Sequence, residues 1–172
     1  VIKTARLVLR RFRETDVDDA LGYRDDPELA RFLPHIPQPY TRAHAIAFVE
    51  VNMTEPWEVF PTFAIELAGR LIGTVNFHIQ GRVAMIGYAI ARAQWGRGLA
   101  TEAARAAIEW LLATHELDEL WASTHRDNVR SRRVLEKLGL VLVEDADEVR
   151  YSRAVCSASA SGQTGACPRA RS

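Results

Sequence analysis

The strongest chemical signal in the chain is the run Ile90-Ala91-Arg92-Ala93-Gln94-Trp95-Gly96-Arg97-Gly98-Leu99-Ala100-Thr101-Glu102-Ala103. It joins a stretch of strand character to one with the apolar period of a helix. Gly96 and Gly98 can adopt backbone angles that other residues avoid, and they leave room for a ligand to touch the main chain. The helix that follows begins with unpaired N–H groups and a positive dipole end. The backbone of Trp95, Gly96, Arg97, Gly98, Leu99, Ala100 and Thr101 therefore forms an anion site suited to a pyrophosphate, with Arg92 and Arg97 as added local charge. On the two glycines alone, a turn that binds nothing is an equal reading. A Walker loop is excluded, because no Gly-Lys-Ser/Thr follows. A dinucleotide fingerprint fits poorly: five residues separate the strand end from Gly96, antiparallel hairpins precede it, and the next strand ends at Ser123-Thr124 without an acid.

The elements that must position this run can be read from its flanks. Leu7 and Leu9 alternate in a strand over 7–12. Thr15 then caps a helix whose start carries Asp16 and Asp18. Pro34, Pro37 and Pro39 make residues 31–40 a loop, and Thr41 opens a second helix through about Val51. Strands over 62–67, 71–79 and 83–90 are joined by glycine-containing turns, as antiparallel hairpins are. Gly87 inside the third of these predicts a bulge or a close backbone approach. Leu99, Ala103, Ala107, Trp110 and Leu111 stripe a helix from Gly98 to about His115. A strand over 119–124 follows, and Asn128 opens a helix closed by Gly139. A last hairpin spans 140–144 and 148–155. This order predicts a mixed α/β sheet in one domain, residues 1–155, with residues 156–172 a disordered tail rich in serine, alanine and glycine.

Composition narrows the function classes. Lys plus Arg (22) balance Asp plus Glu (22), so no global field attracts nucleic acid or an anionic membrane, and any basic site is local. No apolar run is long enough to span a bilayer, and residues 1–13 do not look like a signal peptide. Cys156 and Cys167 are the two cysteines, too few and too close to the C-terminus for a disulfide framework. A cytoplasmic protein is the default expectation. No metal-ligand spacing is visible.

The run at 95–103 resembles the acyl-CoA-binding motif of the GNAT superfamily of N-acetyltransferases. That superfamily pattern, Gln/Arg-x-x-Gly-x-Gly/Ala, aligns with Trp95, Gly98 and Ala100. Trp95 departs from the usual polar residue, and the departure itself resembles the RimJ/RimL-type branch, with its Trp-Gly-x-Gly-x-Ala-Thr-Glu-Ala run. Arg6-Leu7-Val8-Leu9-Arg10, Asp26-Pro27-Glu28, Ile86-Gly87-Tyr88, and Asn128-x-x-Ser131 before Leu135-Glu136-Lys137-Leu138-Gly139 are similar to other blocks of that branch, in the same order. The resemblance implies a mostly antiparallel, twisted sheet of about seven strands, splayed at the fourth and fifth, with about four helices. It implies acetyl-CoA as cosubstrate, a primary amine as acceptor, no metal, and a monomer or homodimer. The backbone of residues 95–101 would bind the CoA pyrophosphate, Asn128 would touch the CoA arm, and the Ile90 N–H would face the thioester carbonyl as oxyanion donor. Asn128 is equally a plain helix N-cap.

The chemistry implied is direct attack of a neutral amine on a thioester. It requires loss of the amine proton, an oxyanion donor, and a proton for the departing thiolate. Many members carry a tyrosine for that last role seven positions after the asparagine; here the position is Leu135. In RimJ/RimL-like members the serine matching Ser131 takes it, though a serine on a first helical turn also bonds its own backbone. Met85 stands where the branch often has an acid before Ile-Gly-Tyr, which leaves the general base unassigned. Histidine titrates near neutral pH, so His78 on the neighbouring strand is a candidate, with Tyr88 and His125 weaker ones, and proton loss to water an alternative. Residues 31–40, with Phe32 and Tyr40, would wall an acceptor site for a protein N-terminus or a small amine. The alternative functions are a non-catalytic acyl-CoA sensor, which Leu135 and the missing acid would suit, and a nucleotide-binding domain.

Overall fold

A computed structural model describes residues 1–155; the tail expected at 156–172 lies outside them. The described chain forms one mixed sheet of eight strands in the order β1-β2-β3-β4-β5-β6-β8-β7. The strands are β1 (Ile2–Lys3), β2 (Val8–Arg10), β3 (Thr62–Leu67), β4 (Arg70–Gln80), β5 (Val83–Ile90), β6 (Glu119–His125), β7 (Val141–Glu144) and β8 (Glu148–Ala154). The two-residue β1 makes eight strands of the expected seven, so the family's fourth strand is β5 here. Every neighbouring pair is antiparallel except β5 and β6.

The parallel pair is short, and that shortness makes the site. β5 and β6 are in register at Val83 with Glu119, Ala84 with Leu120 and Met85 with Trp121, and then separate. β5 runs on to Ile90 against β4, while β6 runs on to His125 against β8. The sheet is thus split at its centre into a V.

Five helices cover the sheet. On one face lie α4 (Leu99–Thr114) and α5 (Val129–Lys137). Of the stripe expected from helical spacing, Leu99, Ala103, Ala107 and Leu111 are fully buried there in one cluster with Val75, Phe77, Ile86 and Ile90, and Trp110 packs against it partly buried. The second apolar cluster, on the other face, comes from α1 (Val17–Arg24), α2 (Pro27–Ala30) and α3 (Arg42–Thr54), packed on Ala64, Leu71 and Ala89. One-turn α2 was not expected; it starts with Pro27 at its first turn, and Asp26 Oδ1 accepts from the Glu28 N–H at 2.9 Å. α3 begins as expected, with Thr41 accepting from the His44 N–H.

Two local expectations change. Thr15 does not cap α1. A 3-10 turn at Glu14–Asp16 precedes the helix, and Asp16 closes it by accepting from the Arg13 N–H at 2.8 Å. Asp16 is 3% exposed and takes two bonds from the buried Arg10 guanidinium, 2.8 and 2.7 Å, so its charge is matched by an ion pair more than by a helix dipole. At Gly87 the β4–β5 ladder runs without a shift, so there is no bulge. The close approach is real: a Cβ there would meet the Asn76 Oδ1 at 2.8 Å. Register irregularities fall instead at Ile65/Glu66 in β3 and at Leu142/Glu144 in β7.

Candidate active site

A groove of about 410 Å³ follows the split in the sheet. Its floor is Tyr88, Ala89 and Ile90 at the free end of β5. The backbone there is oriented by the antiparallel ladder. The Ala91 N–H donates to the Ile72 carbonyl at 2.7 Å, which fixes the phase of alternate bonding: Thr74 with Ala89 and Asn76 with Gly87 are the hydrogen-bonded pairs. Tyr88 and Ile90 fall at the non-bonded positions, so their N–H and C=O groups point away from β4 into the V.

At one end the groove meets the glycine turn. Gly96 and Gly98 both have φ of +76°, the left-handed region, and Gly98 is the residue before α4. The first intrahelical bond runs from the Glu102 N–H to the Gly98 carbonyl at 3.0 Å. The N–H groups of Leu99, Ala100 and Thr101 therefore lack helical partners and lie where an anion can take them. Trp95, Gly96, Gly98, Leu99, Ala100 and Thr101 line the cavity; Arg97 does not. Its side chain bonds Gln94 Oε1, and its carbonyl accepts from Arg6 Nη1 at 3.0 Å. Arg92 turns away too, towards Asp26 at 3.6 Å. The local positive charge comes from α5 instead, where Arg130, Arg133 and Lys137 line the same cavity.

The turn is tied down by residues whose part was not foreseen. Arg6 Nε donates to Glu102 Oε2 at 2.7 Å, the Arg6 N–H to Glu102 Oε1 at 3.0 Å, and Thr4 Oγ1 to Glu102 Oε1 at 2.6 Å. Burial pushes the Glu102 carboxyl up, but the hydrogen bonds from Thr4 and Arg6 outweigh it and hold it below its ordinary value. Arg6 thus joins the start of α4 to the glycine turn.

α5 forms the opposite wall. Asn128 caps it, Oδ1 accepting from the Ser131 N–H at 3.2 Å, and also lines the groove. Ser131 does not bond its own helix through its hydroxyl. Ser131 Oγ lies 2.9 Å from Tyr88 Oη, which also donates to the Ser131 carbonyl at 3.0 Å. Burial raises the Tyr88 phenol well above its ordinary value, more than the bond to Ser131 lowers it. Tyr88 therefore stays protonated, which favours a hydrogen-bonding role over a basic one. Leu135 is 1% exposed and sits in the core, away from the groove.

The base candidates disperse. His78 stacks on Phe60, with centroids 4.6 Å apart, and lies outside the groove. His125 packs near Phe32 at 6.1 Å. Phe32, Leu29 and Leu33 wall the other side of the groove with Glu28, the sole acid among its lining residues. Tyr40 is 5% exposed and bonds Arg24 Nε, so it packs inside the second cluster instead of walling the groove. Among the described residues no three of His, Cys, Asp and Glu converge as metal ligands, and no helix is long and apolar enough to cross a membrane.

A sheet split at a parallel pair, with a glycine turn and a helix start at the mouth of the split, is the arrangement that the resemblance to GNAT acyltransferases implied. A family profile described as "Acetyltransferase (GNAT) domain" matches residues 6–141. The chain belongs to the GNAT acetyltransferase family and is an N-acetyltransferase of it. It is 28% identical over 141 residues to the uncharacterized N-acetyltransferase YnaD of Bacillus subtilis (strain 168), covering 81% of each chain. Against the uncharacterized N-acetyltransferase p20 of Bacillus licheniformis, identity is 27% over 142 residues, 78% of this chain and 79% of the relative. Among solved structures, the GNAT-family acetyltransferase from Bacillus anthracis superposes with a TM-score of 0.79 at 24% identity, covering 89% of this chain and 97% of that one. RimL, a ribosomal L7/L12 alpha-N-protein acetyltransferase in complex with coenzyme A, does so with a TM-score of 0.76 at 17% identity, covering 90% and 97%. At these identities the solved structures speak to the fold.

Proposed function

We propose that the chain transfers an acetyl group from acetyl-CoA to a primary amine, on a protein N-terminus or a small molecule, by direct attack. The observation that carries this reading is the alignment of the Tyr88 main chain and the Ile90 N–H, which point away from β4, with the free N–H groups of Leu99, Ala100 and Thr101 along one groove. Such a path fits an extended pantetheine arm that ends in a diphosphate. Leu99, Ala100 and Thr101 hold the diphosphate, with Arg130, Arg133 and Lys137 supplying countercharge. Asn128 meets the arm while capping α5. RimL with bound coenzyme A supports the cosubstrate by analogy of fold.

The amine enters between β5 and the α2 wall, past Phe32 and Leu33. It attacks the thioester carbon as the Ile90 N–H receives the developing oxyanion. Its proton leaves to water at the open side, where Glu28 is the nearby acid. The C–S bond breaks, and the Ser131 hydroxyl passes a proton to the thiolate and takes one back from the water that received the amine's proton, so the serine ends as it began. Tyr88 stays neutral and keeps Ser131 aimed at the groove: when its O–H turns from the Ser131 carbonyl to Ser131 Oγ, the serine hydrogen is free to face the sulfur.

The test is release of CoA from acetyl-CoA across a panel of free amines, aminoglycoside-like compounds and short peptides with different N-terminal residues. Release that depends on an acceptor is expected. Tight CoA binding with no turnover on any amine would favour an acyl-CoA sensor instead.

A further inference from the structure

Trp95 stands where the superfamily pattern has a polar residue, and its side chain is tied at two ends. The indole Nε1–H donates to the Ile90 carbonyl at 2.8 Å. The Arg130 guanidinium lies over the ring, 4.6 Å from its centroid. Arg130 belongs to the first turn of α5, next to Ser131, so the indole bridges the two walls of the groove.

The bond to Ile90 falls where β5 has lost one neighbour. Beyond Met85 the strand has no β6 partner, and a carbonyl directed into the split would otherwise turn to water. With Trp95 in place, the peptide after Ile90 is held at both ends: its oxygen by the indole, and its Ala91 N–H by the Ile72 carbonyl at 2.7 Å. The peptide before Ile90 is held through Ala89, which pairs with Thr74 in the hydrogen-bonded register. The Ile90 N–H therefore belongs to one fixed peptide and adjoins another. Preorganised donors act because they need no reorientation as charge develops.

We propose that the Trp95 indole is a positioning residue for acyl transfer: its N–H pins the free end of β5 so that the Ile90 N–H stays aimed at the thioester oxygen. This rests on the reading that Ile90 supplies the oxyanion donor. It also accounts for a tryptophan in the glycine turn, since a single N–H on a rigid bicyclic ring reaches from the turn to the strand while stacking on Arg130. A ring that only filled space would need no N–H.

Trp95→Phe keeps an aromatic ring and removes the donor. With an active acceptor, kcat falls about tenfold while the KM for acetyl-CoA stays within about twofold, because a displaced oxyanion donor weakens the transition state more than the ground state. Unchanged kcat in a folded variant overturns the proposal, and so does a loss carried wholly by KM. Two measurements on the ligand-free protein are independent of turnover. The Trp95 Nε1–H in the wild type exchanges with solvent at least about a hundredfold more slowly than free indole, as a bonded, partly buried donor does. The Ile90 and Ala91 amide resonances shift in Trp95→Phe. Free exchange at Nε1 in the wild type overturns the pin even if Trp95→Phe is inactive or unfolds, and unmoved Ile90 and Ala91 resonances in a folded Trp95→Phe overturn it too. A wild type that binds CoA but acetylates no amine sinks the transferase reading, while the exchange data still decide whether the indole holds the strand end.

Discussion

The two ends of the groove are built in different ways. At the end proposed for the cosubstrate the central groups are main chain, Leu99, Ala100 and Thr101 at the α4 start and Tyr88 and Ile90 on β5, with the side chains of α5 around them. Each is held by a second layer, with Arg6 and Glu102 behind the turn and Trp95 across to the strand. At the acceptor end the walls are side chains, Leu29, Phe32 and Leu33, on a one-turn helix and the segment after it. Backbone groups fixed by a network fit one ligand shape. Side-chain walls on a loop can be exchanged without disturbing the sheet, and that is where specificity for an amine can change.

Several substitutions would break or sharpen this contrast. The largest effect is expected at Gly98. Its φ of +76° costs a branched residue roughly 1–2 kcal/mol of backbone strain, so Gly98→Val should raise the KM for acetyl-CoA about tenfold or more. Normal kinetics there would count strongly against the backbone cradle. Next comes Ser131→Ala, for which single-turnover kinetics should show kcat about tenfold lower or more with the KM for acetyl-CoA nearly unchanged; an unaltered kcat removes Ser131 from the mechanism. A smaller effect is expected for Phe32→Ala, a few-fold rise in the acceptor KM with that for acetyl-CoA unmoved; the reverse pattern would erase the division between the two ends.

The smallest effect concerns pH. The Glu102 carboxyl is held below its ordinary value in the folded state, so the unfolded state binds the proton more readily. Its stabilising contribution is complete above the unfolded value, near 4.5, and is lost as pH falls through the folded value. In urea titrations, Glu102→Gln should be less stable than the wild type at neutral pH, and the gap should close on acidification. A gap that stays constant would show that the charge of Glu102 is not what ties Arg6 to the turn.

The same contrast explains how much could be read in advance. The glycine turn, the α4 stripe and the Asn128 cap are local patterns, and they sit where spacing puts them. The eight-strand order and the split at β5 follow the family pattern carried by the Arg6, Ile86 and Asn128 blocks. What could not be read depends on which way side chains point across the fold. Arg92 and Arg97 were natural candidates for charge near the turn, yet Asp26 and Gln94 draw them away, and α5 supplies Arg130 and Arg133. The buried Arg10–Asp16 pair joins β2 to the turn before α1, so no local rule finds it. The Tyr88–Ser131 contact spans 43 residues and exists only because α5 crosses the end of β5. The period-2 rule does place Tyr88 on the same face as Ile86 and Ile90.

The most direct test of the account is a titration of the isotopically labelled protein with coenzyme A, followed through its backbone amides. The largest shifts are predicted at Leu99, Ala100 and Thr101 and along β5 at Tyr88 and Ile90, with β7 unmoved. Saturating coenzyme A that leaves the α4 start and β5 unperturbed would contradict it.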